Sequence, residues 1–139
     1  GGTLGLIMQK IPLDEVINDY SFDFGVVLLI PFFISSMFKT IQGSSTVAII
    51  TTSTILYPLL SSLGLNNEID KIWTILSIGV GSMTVSHTND SYFWIVSEMS
   101  EISVEKALKY HTIGTLIHGI SGIVFILIGY KLTSLINFI

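Results

Sequence analysis

Ser86-His87-Thr88-Asn89-Asp90-Ser91 is a run of polar residues set between two apolar stretches, Ile72 to Val85 before it and Tyr92 to Val96 after it. In hydrocarbon each unsatisfied polar group costs several kcal/mol, so such a break survives only where protein or a water-filled cavity supports it. Ionisable side chains at that depth are candidates for a functional site. A second break of this type is Gln42-Gly43-Ser44-Ser45-Thr46, and the rest of the chain reads as scaffolding for the two.

The composition agrees with a membrane setting. Of 139 residues, 50% are hydrophobic and only 12% charged, where a soluble domain carries about 25% charged residues. Such a chain is expected to be an all-α polytopic membrane protein. It contains no cysteine, which rules out disulfides and thiolate chemistry. The net charge is −4 and the six basic residues are scattered, so nucleic acid is not a partner. Gly1-Gly2-Thr3-Leu4-Gly5-Leu6-Ile7-Met8 has no basic n-region and no cleavage pattern, and it reads as the interior of a longer chain.

Working outward, residues 10–23 interleave acids with Ile11, Leu13, Val16 and Ile17, as expected of an interfacial amphipathic segment. Phe24 to Phe38 and Val47 to Leu65 are uncharged runs containing Pro31 and Pro58. Residues 24–65 therefore form either two full spans or a re-entrant hairpin whose tip is Gln42–Thr46. Small residues at that tip let backbones approach and leave amides free for a ligand, which favours the hairpin. Residues 72–97 read as one helix broken at the central stretch. Broken helices present unpaired backbone groups and dipole ends to a substrate. Asp90 could equally be the N-cap of the second half. Residues 98–110 read as a solvated interfacial helix capped by Ser103, and 111–136 as the last transmembrane helix. His118 within it is expected to be packed or hydrogen-bonded, and His111 at its edge to be ordinary.

Lys39-Thr40-Ile41-Gln42-Gly43-Ser44-Ser45-Thr46-Val47-Ala48, followed by Ser86-His87-Thr88-Asn89-Asp90-Ser91-Tyr92-Phe93-Trp94, resembles the C-terminal third of the gluconate permease family. These are bacterial proton-coupled carriers of gluconate and related sugar acids, with D-serine carriers as relatives. Ser45 stands where the family usually has Ala, Tyr92 where it has Gly, and Lys39 where Arg is common. The resemblance implies an ion-transporter-superfamily inverted-repeat fold with a re-entrant hairpin and a broken transmembrane helix in each half. This chain would be its C-terminal half-repeat, holding half of a binding site in the bacterial inner membrane.

On that footing, a small hydroxylated monocarboxylate would be met by amides near Gly43 and Ser44. The hydroxyls of Ser44, Ser45, Thr46, Thr88 and Ser91 and the amide side chains of Gln42 and Asn89 would complete the set. The chain has no arginine, which leaves Lys39 or the N-terminal part of the same permease for any charged contact. Proton coupling would fall to Asp90, with His87 second. Sodium is the alternative coupling ion, and no cofactor or metal centre is expected. The lipid bilayer is the surrounding partner, and a homodimer is an open arrangement. A hydrolase built on Ser44, His87 and Asp90 lacks a nucleophile-elbow or metal motif, so the chain is not read as an enzyme. A symporter of another small carboxylate such as D-serine, or an inactive permease fragment, remains the alternative.

Overall fold

The computed structural model describes residues 25–136, and Thr3 ahead of them. The expected interfacial segment over 10–23 lies outside the described residues. Among those described there are helices and connections and no strand.

The first helix, α1 (Leu29–Gln42), follows a 3-10 turn over Val26–Leu28. Pro31 falls in its first turn, where a missing N–H removes no helical bond. Gly43 ends it in the left-handed conformation, with φ 70°, and its N–H closes on the Lys39 carbonyl. Ser44 then caps α2 (Ser45–Leu56) by accepting from the Val47 N–H. The two helices are thus joined by two residues and turn back on one another. Pro58 lies in a 3-10 turn at the far end of α2, over Tyr57–Leu59.

Helix α3 (Glu68–Gly81) starts four residues earlier than the apolar run suggests, because Asn67 and Asp70 form a reciprocal capping box. It runs alongside α1: the Ser77 hydroxyl donates to the Leu28 carbonyl at 2.6 Å and the Ser35 hydroxyl to the Ile78 carbonyl at 2.8 Å. Residues 82–90 leave the helix and run on toward the C-terminal end of α1. Helix α4 (Ser91–Met99) resumes with Asp90 as its N-cap.

Beyond a turn, Ser103 caps the short α5 (Val104–Ala107), which passes through a π turn at Leu108–Thr112 into α6 (Ile113–Ile136). The 98–110 region is therefore divided: its start belongs to α4, and its end is continuous with α6. The stretch Val104–Leu135 is one helix of 32 residues, long and apolar enough to cross a membrane. Helix α6 runs antiparallel to α3. Gly119, Gly122 and Gly129 face Thr84, Val80 and Trp73 so closely that a Cβ would collide with each, the small-residue contact typical of membrane helices. The core, including Leu28, Phe32, Leu56, Leu65, Ile78, Ile123 and Ile126, sits between these helices toward the Leu65 end.

Candidate functional site

The tip of the α1–α2 hairpin is docked on the break between α3 and α4. A helix C-terminus leaves its last carbonyls without partners. Here the Asn89 side-chain amide donates to the Thr40 carbonyl at 2.8 Å and to the Ile41 carbonyl at 3.1 Å. His87 Nε2 donates to the same Thr40 carbonyl at 3.0 Å. Gly43 packs against the Asn89 backbone with no room for a Cβ.

At the centre of this joint lies an ion pair. Lys39 Nζ is 2.6 Å from Asp90 Oδ2, with the two side chains only 4% and 7% exposed. Removing one partner of such a pair would strand a buried charge. Asp90 Oδ2 also accepts from the Ser86 hydroxyl at 2.5 Å, and Oδ1 from the Tyr92 N–H at 3.0 Å. Asp90 is thus both the N-cap of α4 and the partner of Lys39.

Ser86 is held in turn by the start of α6. Its N–H donates to Thr115 Oγ1 at 3.0 Å, its carbonyl accepts from the Thr112 hydroxyl at 2.7 Å, and His111 Nε2 lies 3.2 Å from its Oγ. The His111 ring leans on Tyr92 and Phe93. The residue before Ser86, Val85, has φ 55°, a strained conformation for a β-branched side chain. The polar grip on Ser86 maintains it.

A cleft of about 390 Å³ opens beside the pair, lined by Lys39, Ser45, Met83, Ser86, Asp90, Tyr92, Thr115 and His118. Of the residues chosen from sequence, Ser45 and Asp90 face it. Ser44 caps α2. Gln42, Thr46, Thr88 and Ser91 are exposed at the same end of the molecule, and the Thr88 carbonyl accepts from the Trp94 indole N–H at 2.8 Å. His87 and Asn89 fasten the hairpin to the break. His118 is exposed along the cleft rather than packed, and His111 is part of the network around Asp90 rather than an ordinary edge residue. Ser86, His111, Thr115 and His118 were not among the site residues chosen from the sequence. The Thr112, Thr115, Gly119, Gly122 spacing, one face of a helix, was the signal that could have found the α6 contribution.

A family profile described as GntP family permease matches residues 1–133. A gluconate permease of Pseudomonas aeruginosa is 33% identical over 102 residues, covering 73% of this chain and 22% of that protein. An uncharacterized permease of Haemophilus influenzae is 33% identical over 130 residues, 91% of this chain and 26% of its own length. The high-affinity gluconate transporter of Escherichia coli K12 is 26% identical over 125 residues, 89% and 28% of the two chains. The chain thus spans about a quarter of the length of these curated relatives. No solved structure matches. The relatives are permeases, not enzymes, and this chain, matched along nearly its whole length, belongs to the GntP family of integral membrane permeases.

Proposed function

We propose that this chain forms one half of the binding site of a secondary active transporter, which takes up gluconate or a related small hydroxylated monocarboxylate by proton symport. The setting is the bacterial inner membrane. The chain would be the C-terminal half-repeat of an inverted-repeat fold, with α1–α2 as the re-entrant hairpin and α3–α4 as the broken helix. The observation that carries the reading is the buried Lys39–Asp90 pair beside the cleft, where the hairpin tip meets the break. Ionisable groups at membrane depth are costly and rare, and where they occur they mark ion or substrate pathways. Of the two proton candidates, Asp90 borders the cleft, while His87 has its Nε2 on a carbonyl. Ser45, which lines the cleft, and the other hairpin-tip hydroxyls would supply donors and acceptors for substrate hydroxyls, together with Asn89, Thr88 and Ser91 exposed at the same end of the molecule.

The test uses the complete permease in proteoliposomes with labelled gluconate and D-serine, under imposed proton or sodium gradients. Gluconate uptake driven by an inward proton gradient is the expected result. Uptake that follows sodium alone would replace the coupling ion. Preference for D-serine would replace the substrate, and uptake of neither acid would sink the substrate class.

A further inference from the structure

We propose that Lys39 is the anchor for the substrate carboxylate, and that Asp90 is a resident carboxylate displaced from it once a proton arrives from His111 through Ser86. This deepens the reading above and rests on it. With no arginine in the chain, Lys39 is the cation that lines the cleft. Its ammonium is occupied by Asp90 Oδ2 at 2.6 Å and approaches the Gly43 carbonyl at 3.4 Å. A substrate carboxylate reaching the cleft thus meets a cation already paired with a carboxylate of the protein.

Charge balance then links the two ligands. A proton added alone leaves Lys39 uncompensated, and a carboxylate added alone leaves two anions on one ammonium. Added together, they give neutral Asp90 and a Lys39–substrate pair, with the same net charge as before. Each ligand therefore favours the other, and the coupling is one proton per monocarboxylate.

The proton has a path in the hydrogen bonds. His111 Nε2 lies 3.2 Å from Ser86 Oγ, and the Ser86 hydroxyl donates to Asp90 Oδ2 at 2.5 Å. In one shift the Nε2–H bond of a protonated His111 breaks and a new Oγ–H bond forms. The old Oγ–H bond breaks and Oδ2–H forms, leaving neutral His111 with its proton on Nδ1. The groups facing Asp90 are Lys39 from α1, Ser86 from the break, Tyr92 from α4, His118 from α6 across the cleft, and His111 through Ser86.

Equilibrium binding of labelled gluconate to the purified complete permease, between pH 5 and 9, reads the linkage directly. Wild type should bind about tenfold more tightly per pH unit of acidification within the coupling range. Asp90→Asn should bind tightly without pH dependence and lose gradient-driven accumulation. The charge-balanced double variant Lys39→Gln/Asp90→Asn should lose binding, with circular dichroism and gel filtration reporting that it folds. His111→Gln should slow uptake while keeping the pH dependence of binding. Persistent pH dependence in Asp90→Asn, or tight binding by the double variant, would overturn the proposal. A second arm uses ¹³C-acetate with isotope-edited infrared spectroscopy, so that a wrong choice of substrate does not decide the matter. Its carboxylate stretch should shift in Asp90→Asn but not in the double variant. A shift in both, or in neither, would overturn the anchor even if gluconate proved not to be the cargo.

Discussion

A methyl group added at Gly43 would meet the Asn89 carbonyl oxygen, and the backbone there has φ 70°; Gly64 has φ 74° but nothing within 4 Å of a built Cβ. The two glycines separate backbone strain from docking. Gly64→Ala should cost about 1–2 kcal/mol, the left-handed penalty for an L-residue. Gly43→Ala should cost clearly more and also loosen the hairpin from the break. Thermal unfolding of the two purified variants in detergent checks the order. At this scale the sequence told part of the story. The capping role of Asp90 was readable because it is local, lying just ahead of the apolar run Tyr92–Val96. Its partner was not, because Lys39 is 51 positions away and no periodicity within either segment links them. His111 looked ordinary for the same reason: what gives it a place is Ser86, 25 positions back.

Between elements, glycines of α6 bring it close against α3 and the break that follows, and polar contacts fasten the two helices at one end. At the end remote from the cleft, the Tyr130 hydroxyl donates to Asp70 Oδ1 at 2.9 Å and the Trp73 indole N–H to Thr133 Oγ1 at 3.2 Å. Tyr130→Phe should lower stability by about 1.5–3 kcal/mol, the usual worth of a bond to a charged acceptor. Chemical denaturation of the permease in micelles would measure it, and transport at permissive temperature should survive. Gly122→Leu should be worse, because its side chain would enter the space of Val80. That variant should fold poorly, seen as a loss of monodisperse protein on gel filtration. Helix positions followed well from apolar runs and caps, although the polar residues over 61–71 masked the capping box that starts α3. Which helix faces which depended on side-chain sizes on two separated segments, a signal that shows only once they are set side by side.

Taken whole, the molecule turns a broad apolar surface outward: Ile117, Ile120, Val124, Phe125 and Ile128 on α6 are exposed. Contiguous apolar area of this kind belongs against lipid or against the rest of the permease. Phe125→Lys should reduce the membrane-inserted fraction, at a cost on the order of 2.5–3.5 kcal/mol for a lysine near a helix centre. Carbonate-washed membranes from cells expressing the complete permease would show it. This level was the most legible, because charge density and long apolar runs need no knowledge of tertiary contacts. The π turn at Leu108–Thr112 carries a consequence for the whole rod from Val104 to Leu135. A π turn takes up one residue more than an α turn, and each residue advances a helix by about 100°. The turn absorbs that extra residue while the rod stays one helix, so the sequence positions sharing a face are offset by one across it, with His111 inside the turn. Deleting one residue there would leave a continuous α-helix of nearly the same length. The α5 side would keep its place on the axis, while the imidazole, inside the shortened turn, would lose its station opposite Ser86.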